Sequence, residues 1–193
     1  MKRLCVFCGS SPGAEPAYAQ AARKLGSILA KSGIGLVYGG ASVGLMGEIA
    51  NSAMQARGEV VGVIPRSLVE KEVAHGGLTD LRVVDSMHQR KALMAELSDG
   101  FIAMPGGLGT LEEFFEVLTW AQLGMHTKPC GLLNVGNFYD RLLAFLDHAA
   151  EQRFIKPVHR ASVLVADSPE RLLAEFEMYR APLVEKWIDR ERS

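Results

Sequence analysis

Short runs of consecutive apolar residues alternate with longer amphipathic stretches along almost the whole chain. Residues 4–7, 35–38, 60–64, 81–84, 101–104, 130–133 and 163–165 form the short runs. Several lack the polar alternation of a half-solvated strand, which predicts parallel strands covered on both faces by helices. In the intervening stretches the apolar positions recur at helical spacing. Pro16 opens the first, Ala19, Ala22, Leu25 and Leu29 share its buried face, and Gly33 stops it. Further helices are predicted over 46–57, with Gly58 as the stop, and over 87–97, 111–122, 138–152 and 169–179.

This βαβ rhythm predicts a single doubly wound α/β domain over residues 1–180. Its sheet is mostly parallel, with right-handed crossovers and helices on both faces. Residues 181–193 carry Trp187 and many charges and read as a C-terminal helix or a tail. The chain shows no internal repeat, low-complexity tract or interdomain linker. In such folds ligands bind beyond the carboxyl ends of the strands. The glycine clusters at 9–13, 39–47 and 106–109 follow the first, second and fifth strands, so they converge on that edge.

Composition narrows the possibilities. A chain of 193 residues, 48% hydrophobic and 22% charged, buries a sufficient core without disulfides or metals. A net charge of -1 argues against nucleic-acid binding through a broad basic surface and leaves a local anion pocket open. Three cysteines make no disulfide framework. Cys5 and Cys8 have C-x-x-C spacing but fall on an apolar strand and are expected to be buried thiols. The five histidines show no metal-ligand spacing, so no metal is expected. Lys2 and Arg3 precede an apolar run that ends at the Gly9 turn. That run is short of the ~7–15 residues of a secretory core and the ~20 of a membrane helix. A cytoplasmic protein with no membrane partner is the expectation.

Three constellations carry candidate chemistry. Gly106-Gly107-Leu108-Gly109-Thr110 lies between a strand and a helix. Glycines there allow close backbone approach, and the helix start presents free N–H groups to an anion. Neither a Gly-Lys-Ser/Thr phosphate loop nor Gly-x-Gly-x-x-Gly is present. Thr110 at the N-cap with Glu113 three residues later makes a capping box, which needs no catalysis. Alternatively, Glu113 is a carboxylate within a turn of a bound phosphate, able to stabilise a sugar cation or orient water. Both readings stand at this point, and Glu116, one turn on, is expected to be solvated.

Gly39, Gly40 and Gly44 belong to a second strand-to-helix loop and are a candidate phosphate or sugar loop. A wide packing turn explains them equally, and Met46 is expected in the core. Arg90 and Lys91 fall near the start of a helix after the fourth strand, where the dipole disfavours cations. A bound anion would compensate them, with bidentate Arg–phosphate contact the obvious form, and two solvated charges are the alternative. His88 is a surface or capping residue, or an acid-base group.

Taken together these motifs resemble the LOG (LONELY GUY) family of cytokinin riboside 5'-monophosphate phosphoribohydrolases, often labelled lysine decarboxylases in error. The family pattern Pro-Gly-Gly-x-Gly-Thr-x-x-Glu matches Pro105 through Glu113. The resemblance extends from the Cys8-Gly9-Ser10-Ser11 turn through the Gly39 loop, Ile64-Pro65 and Met87 to Lys91, and on to Thr119-Trp120-Ala121-Gln122-Leu123-Gly124. Two positions depart from it: Ala41 stands where the second loop usually has a third glycine, and Leu108 where plant members often have tyrosine.

The resemblance implies a Rossmann-like homodimer with each site near the subunit interface and no organic cofactor or metal. It implies a small-molecule nucleoside monophosphate as substrate, with Arg90 and Glu113 as the catalytic pair. It further implies substrate contacts from Glu72, Lys91, Gly106, Gly107, Leu108, Gly109, Thr110, Leu111, Glu112 and Thr119. The expected reaction is hydrolysis of the N-glycosidic bond to free base and ribose 5-phosphate. The alternative is a non-catalytic nucleotide-binding regulatory module. True decarboxylation would require pyridoxal phosphate on a Schiff-base lysine, for which Lys91 alone is suggestively placed.

Overall fold

The computed structural model describes residues 1–69 and 74–182. The chain runs β1 (Arg3–Phe7), α1 (Pro16–Lys31), β2 (Gly35–Tyr38), α2 (Gly44–Gln55), β3 (Val60–Pro65), α3 (Arg66–Val69), β4 (Asp80–Val84) and α4 (Met87–Glu96). It continues through β5 (Phe101–Ala103), α5 (Leu108–Gln122), β6 (Cys130–Leu133), α6 (Asp140–Glu151), α7 (Pro157–Ala161), β7 (Val163–Ala166) and α8 (Pro169–Met178). Among the described residues the strands form one sheet in the order β4-β3-β2-β1-β5-β6-β7. Every pairing in it is parallel. The doubly wound expectation is met.

In every strand but the edge strand β4, neighbouring residues feed two separate cores. Leu4, Val6, Leu36, Tyr38, Ile102 and Leu133 pack against α1, α2 and α8. Cys5, Phe7, Val37, Val63, Phe101 and Leu132 pack against α4 and α5 on the other face. Burying each large apolar side chain stabilises by about 1.5–3 kcal/mol, so neither face can be left open to water.

The helix ends explain where the spacing misjudged a boundary. At α1 the expected signals hold: Pro16 occupies the first turn and Gly33 takes φ 68 just past the end. α5 begins at Leu108 instead of 111, because Gly107, in extended backbone, is its N-cap. Thr110 and Glu113 therefore lie inside the helix and form no capping box. The S-x-x-Q signature is used at α4 instead, where Ser86 Oγ accepts from Gln89 N–H at 3.1 Å. α6 begins at Asp140 because a 3-10 turn, Val135–Asn137, takes the preceding residues. Asn134 fixes that turn by accepting from Tyr139 N–H (2.7 Å) and donating to Asp140 (2.8 Å). The short α3 and α7 were beyond the reach of periodicity. Of the expected C-terminal helix or tail, residues 183–193 lie outside the described residues.

Strand order reverses between β1 and β5, both neighbours at the sheet centre. Their carboxyl ends are tied together: Met104 N–H donates to Phe7 O (2.9 Å) and Gly9 N–H to Pro105 O (3.1 Å). The α2 start joins them through Leu45 N–H to Gly9 O (3.0 Å). This is the switch point at which such sheets bind ligands.

Candidate active site

A cleft of about 300 Å³ opens at the switch point. Its walls are Cys8, Gly9 and Ser10 after β1, Gly107 to Thr110, Glu112 and Glu113 on α5, and Met87 and Arg90 on α4, with Met46 and Leu68. The first bond within α5 runs from Leu111 N–H to Gly107 O (3.1 Å). The N–H groups of Leu108, Gly109 and Thr110 precede that bond, at the positive end of the helix dipole. That end of the cleft therefore offers backbone N–H groups of the kind that suit an anion.

Arg90 and Glu113 are the buried charges of its wall, with side chains 7% and 11% exposed. Arg90 Nη2 lies 4.0 Å from Glu113 Oε1 and donates to Gly39 O at 3.3 Å. Its Nη1 lies 3.8 Å from Met87 Sδ, while its buried Nε finds no hydrogen-bond acceptor. The guanidinium is thus held in place with donor capacity to spare. Burial pushes the Cys8 thiol well above its ordinary range, Glu113 adds to the rise and Arg90 opposes it. Cys8 is a neutral wall of the cleft, not a nucleophile.

Lys91 takes a different direction. Its Nζ pairs with Glu112 Oε1 and, at 3.0 Å, with Glu116 Oε2. Burial opposes its charge, and the two carboxylates outweigh that, raising its pKa above the ordinary value. Arg90 and Lys91 are both buried, so the alternative of two solvated charges fails. Their compensating anions include protein carboxylates. Glu116, expected in solvent, is half of that compensation for Lys91.

The remaining candidates divide. Gly107, Leu108, Gly109, Thr110 and Glu112 line the cleft; Gly106 lies just behind them, and Leu111 packs into the core beneath α5. Thr119 lies further along α5, its Oγ1 donating to Phe115 O (2.7 Å), and faces another cavity with His159 and Arg160. Glu72 lies outside the described residues.

Gly39, Gly40 and Gly44 do not line the cleft; each has a packing role. A Cβ on Gly39 would come within 2.0 Å of Arg90 Nη2, so the missing side chain makes room for the guanidinium. Gly44 has φ 56, and a Cβ there would meet the Ser10 backbone at 2.3 Å. Ala41 is buried, bridges Ala74 and has no positive φ, so its departure from the family glycine is tolerated. Met46 is in the core as expected and also reaches the cleft.

Sequence reasoning placed the 9–13 turn, and with it Ser10, at this edge but did not assign Cys8, Leu68 or Met87 to the cleft. Position at the carboxyl end of β1 was a sufficient signal for Cys8. Among the described residues, no group of three or more His, Cys, Asp or Glu side chains is placed to hold a metal. No described helix is long and apolar enough to cross a membrane.

Residues 46–176 match the family described as "Possible lysine decarboxylase". The chain is 55% identical over 174 residues to the cytokinin riboside 5'-monophosphate phosphoribohydrolase of Rhodococcoides fascians, covering 90% of this chain and 88% of that protein. It is 49% identical over 178 residues to the cytokinin riboside 5'-monophosphate phosphoribohydrolase LOG7 of Arabidopsis thaliana, covering 92% and 82%. Among solved structures, a molybdenum cofactor binding protein from Rippkaea orientalis superposes with a TM-score of 0.69 at 26% identity, covering 92% of this chain and 97% of that one. The decarboxylase description does not fit the side chains. No lysine lines the cleft among the described residues, and Lys91 is held protonated, the opposite of an activated amine.

Proposed function

We propose, from the premise that this chain belongs to the cytokinin riboside 5'-monophosphate phosphoribohydrolase family, that it hydrolyses the N-glycosidic bond of nucleoside 5'-monophosphates of the adenosine or cytokinin type. The products are free base and ribose 5-phosphate. The observation that carries this reading is the buried Arg90–Glu113 pair set beside the backbone anion site of α5.

In this mechanism the 5'-phosphate binds the N–H groups that open α5, in the loop of Gly106, Gly107, Leu108, Gly109 and Thr110. That fixes the ribose over Glu113 and Arg90, and phosphate contacts remote from the broken bond supply orientation. As the bond to the base lengthens, the ribosyl carbon gains cationic character. The Glu113 carboxylate stabilises that charge and takes a proton from the attacking water, and the departing base takes up one proton from solvent as Glu113 returns its own. Arg90, 4.0 Å away, compensates the Glu113 charge in a buried setting and offers its remaining donors to the sugar or phosphate. Glu72, Glu112 and Thr119 belong to the substrate shell in this reading.

The protein acts as a homodimer in this reading, with the site near the subunit interface. Leu108, 87% exposed, and Met87 give the cleft an apolar rim that a second subunit would cover. A cytoplasmic location is supported by three free, buried thiols.

The test is incubation of pure protein with AMP and with isopentenyladenosine monophosphate, following free base and ribose 5-phosphate. Binding of both without release would sink the hydrolase in favour of a nucleotide-binding regulatory module. That competing reading draws on the likeness to the molybdenum cofactor binding protein.

A further inference from the structure

Beyond the reacting pair, we infer that His75 is a positioning residue. It braces the Gly39–Gly40 turn against α2, and that turn supplies the carbonyl on which Arg90 is seated. This rests on the hydrolase reading for its kinetic consequence only.

The turn lies where the sheet no longer holds it. β2 makes its last pairing with β3 at Tyr38, opposite Gly62. Beyond that register Gly40 takes φ 79, a conformation in which glycine is free to swing. The carbonyls of Gly39 and Gly40 take different partners. Gly39 O accepts from Arg90 Nη2 at 3.3 Å, and Gly40 O accepts from His75 N–H at 2.9 Å. The two peptide units share the Gly40 α-carbon, so fixing one restrains the other. Ala41, next along, bridges Ala74 in the antiparallel sense, which keeps His75 beside the turn.

His75 is itself anchored. It lies in the connection from α3 to β4 and is 8% exposed. Its Nδ1 donates to Gly76 O at 2.7 Å, and its Nε2 bonds the side-chain amide of Asn51 on α2 at 3.1 Å. Both ring nitrogens are therefore spent within the protein. The imidazole does not line the cleft, so it serves as neither acid nor base in the reaction. It acts through Arg90. The competing account is an ordinary buried histidine that stabilises its loop and leaves Arg90 unaffected.

Three variants separate the two. His75→Gln puts an amide nitrogen near the Nε2 position and keeps the reach to Asn51, whereas His75→Asn puts one near Nδ1 and loses it. Asn51→Ala removes the anchor at an exposed position, with little threat to the fold. If His75 braces the turn, His75→Asn and Asn51→Ala each lower kcat by about tenfold while KM stays within about threefold. His75→Gln then keeps most of the rate. In a Gly39→Ala background, where the new Cβ already displaces Arg90, Asn51→Ala costs less than about twofold more. A lowered melting temperature with unchanged kcat in His75→Asn and Asn51→Ala would overturn the inference. So would a full tenfold loss added on top of Gly39→Ala. Should the His75 variants fail to fold, Asn51→Ala, alone and in the Gly39→Ala background, carries the decision.

A wild-type protein that releases no base removes the hydrolase reading alone. The brace is then decided by the crystal structure of Asn51→Ala. Lengthening of the 3.3 Å bond between Arg90 Nη2 and Gly39 O beyond hydrogen-bond range supports it, and an unchanged distance overturns it.

Discussion

Arg90 Nη2 and Glu113 Oε1 face each other at 4.0 Å, too far for a hydrogen bond and near enough for the charges to compensate. A pair in direct contact would spend its donors and lone pairs on itself. At this spacing Arg90 keeps donor capacity, its buried Nε having no acceptor, and its donation to Gly39 O holds the guanidinium still.

Replacing Glu113 by Gln keeps the shape and removes the charge. Turnover is expected to fall by about 10²–10⁴-fold, the range for a lost general base. Nucleotide binding should persist within about tenfold, since the α5 N–H groups are unchanged. Because Gly107 and not Thr110 caps the helix, early melting with normal turnover would contradict this account. Base release and thermal melting, measured on one preparation, separate the two.

Gly39→Ala tests the seat of Arg90. The new Cβ meets the far end of a flexible side chain at 2.0 Å, so Arg90 swings away and the fold survives. The expected result is a loss of kcat of about 100-fold with a melting temperature within a few degrees of wild type. Near-normal turnover would mean that Arg90 does not need that position.

Gly44→Ala should do the reverse. Here the Cβ meets backbone, Ser10 carbonyl carbon at 2.3 Å, and the residue has φ 56. Strain and overpacking together predict a loss of roughly 2–4 kcal/mol, read from urea denaturation. A loss below about 0.5 kcal/mol would show that the β1 loop can move aside.

His126 predicts the pH response. Its Nε2 donates to Val117 O (2.9 Å) and its Nδ1 accepts from Lys128 N–H (3.1 Å), the pattern of a neutral ring. Burial lowers its pKa below the ordinary 6.5, with Lys128 adding to the effect and the Val117 carbonyl opposing it. As pH falls, the unfolded chain binds this proton first, so stability is full above about pH 6.5 and declines below it. Melting temperature should therefore fall between pH 7.5 and 5.5, and by less in His126→Gln. Equal slopes in the two proteins would remove His126 from the explanation.

Most of the architecture was readable in the chain because buried parallel strands leave uninterrupted apolar runs. Residues 35–38 and 130–133 were bounded to the residue. Helix starts were harder where glycine precedes them: Leu108 and Gly109 look like loop residues, yet the extended backbone at Gly107 lets the helix begin there. At the site, Arg90 and Glu113 were singled out by type and motif, and the structure brings them face to face. The destination of Lys91 was illegible, since its partners at 112 and 116 lie on another helix. Nor could spacing reveal that Gly39 makes room for a side chain 51 residues away.

The sheet order has a consequence for how activity is acquired. β4 lies at one edge and β5 beside β1 at the centre, so the segment carrying Arg90 must cross β3, β2 and β1 before Glu113 can be delivered. The reacting pair, close in sequence, is completed only when the central strand gap is closed. Recovery of turnover during refolding would then report insertion of β5, and a partly assembled chain, however helical, would be silent.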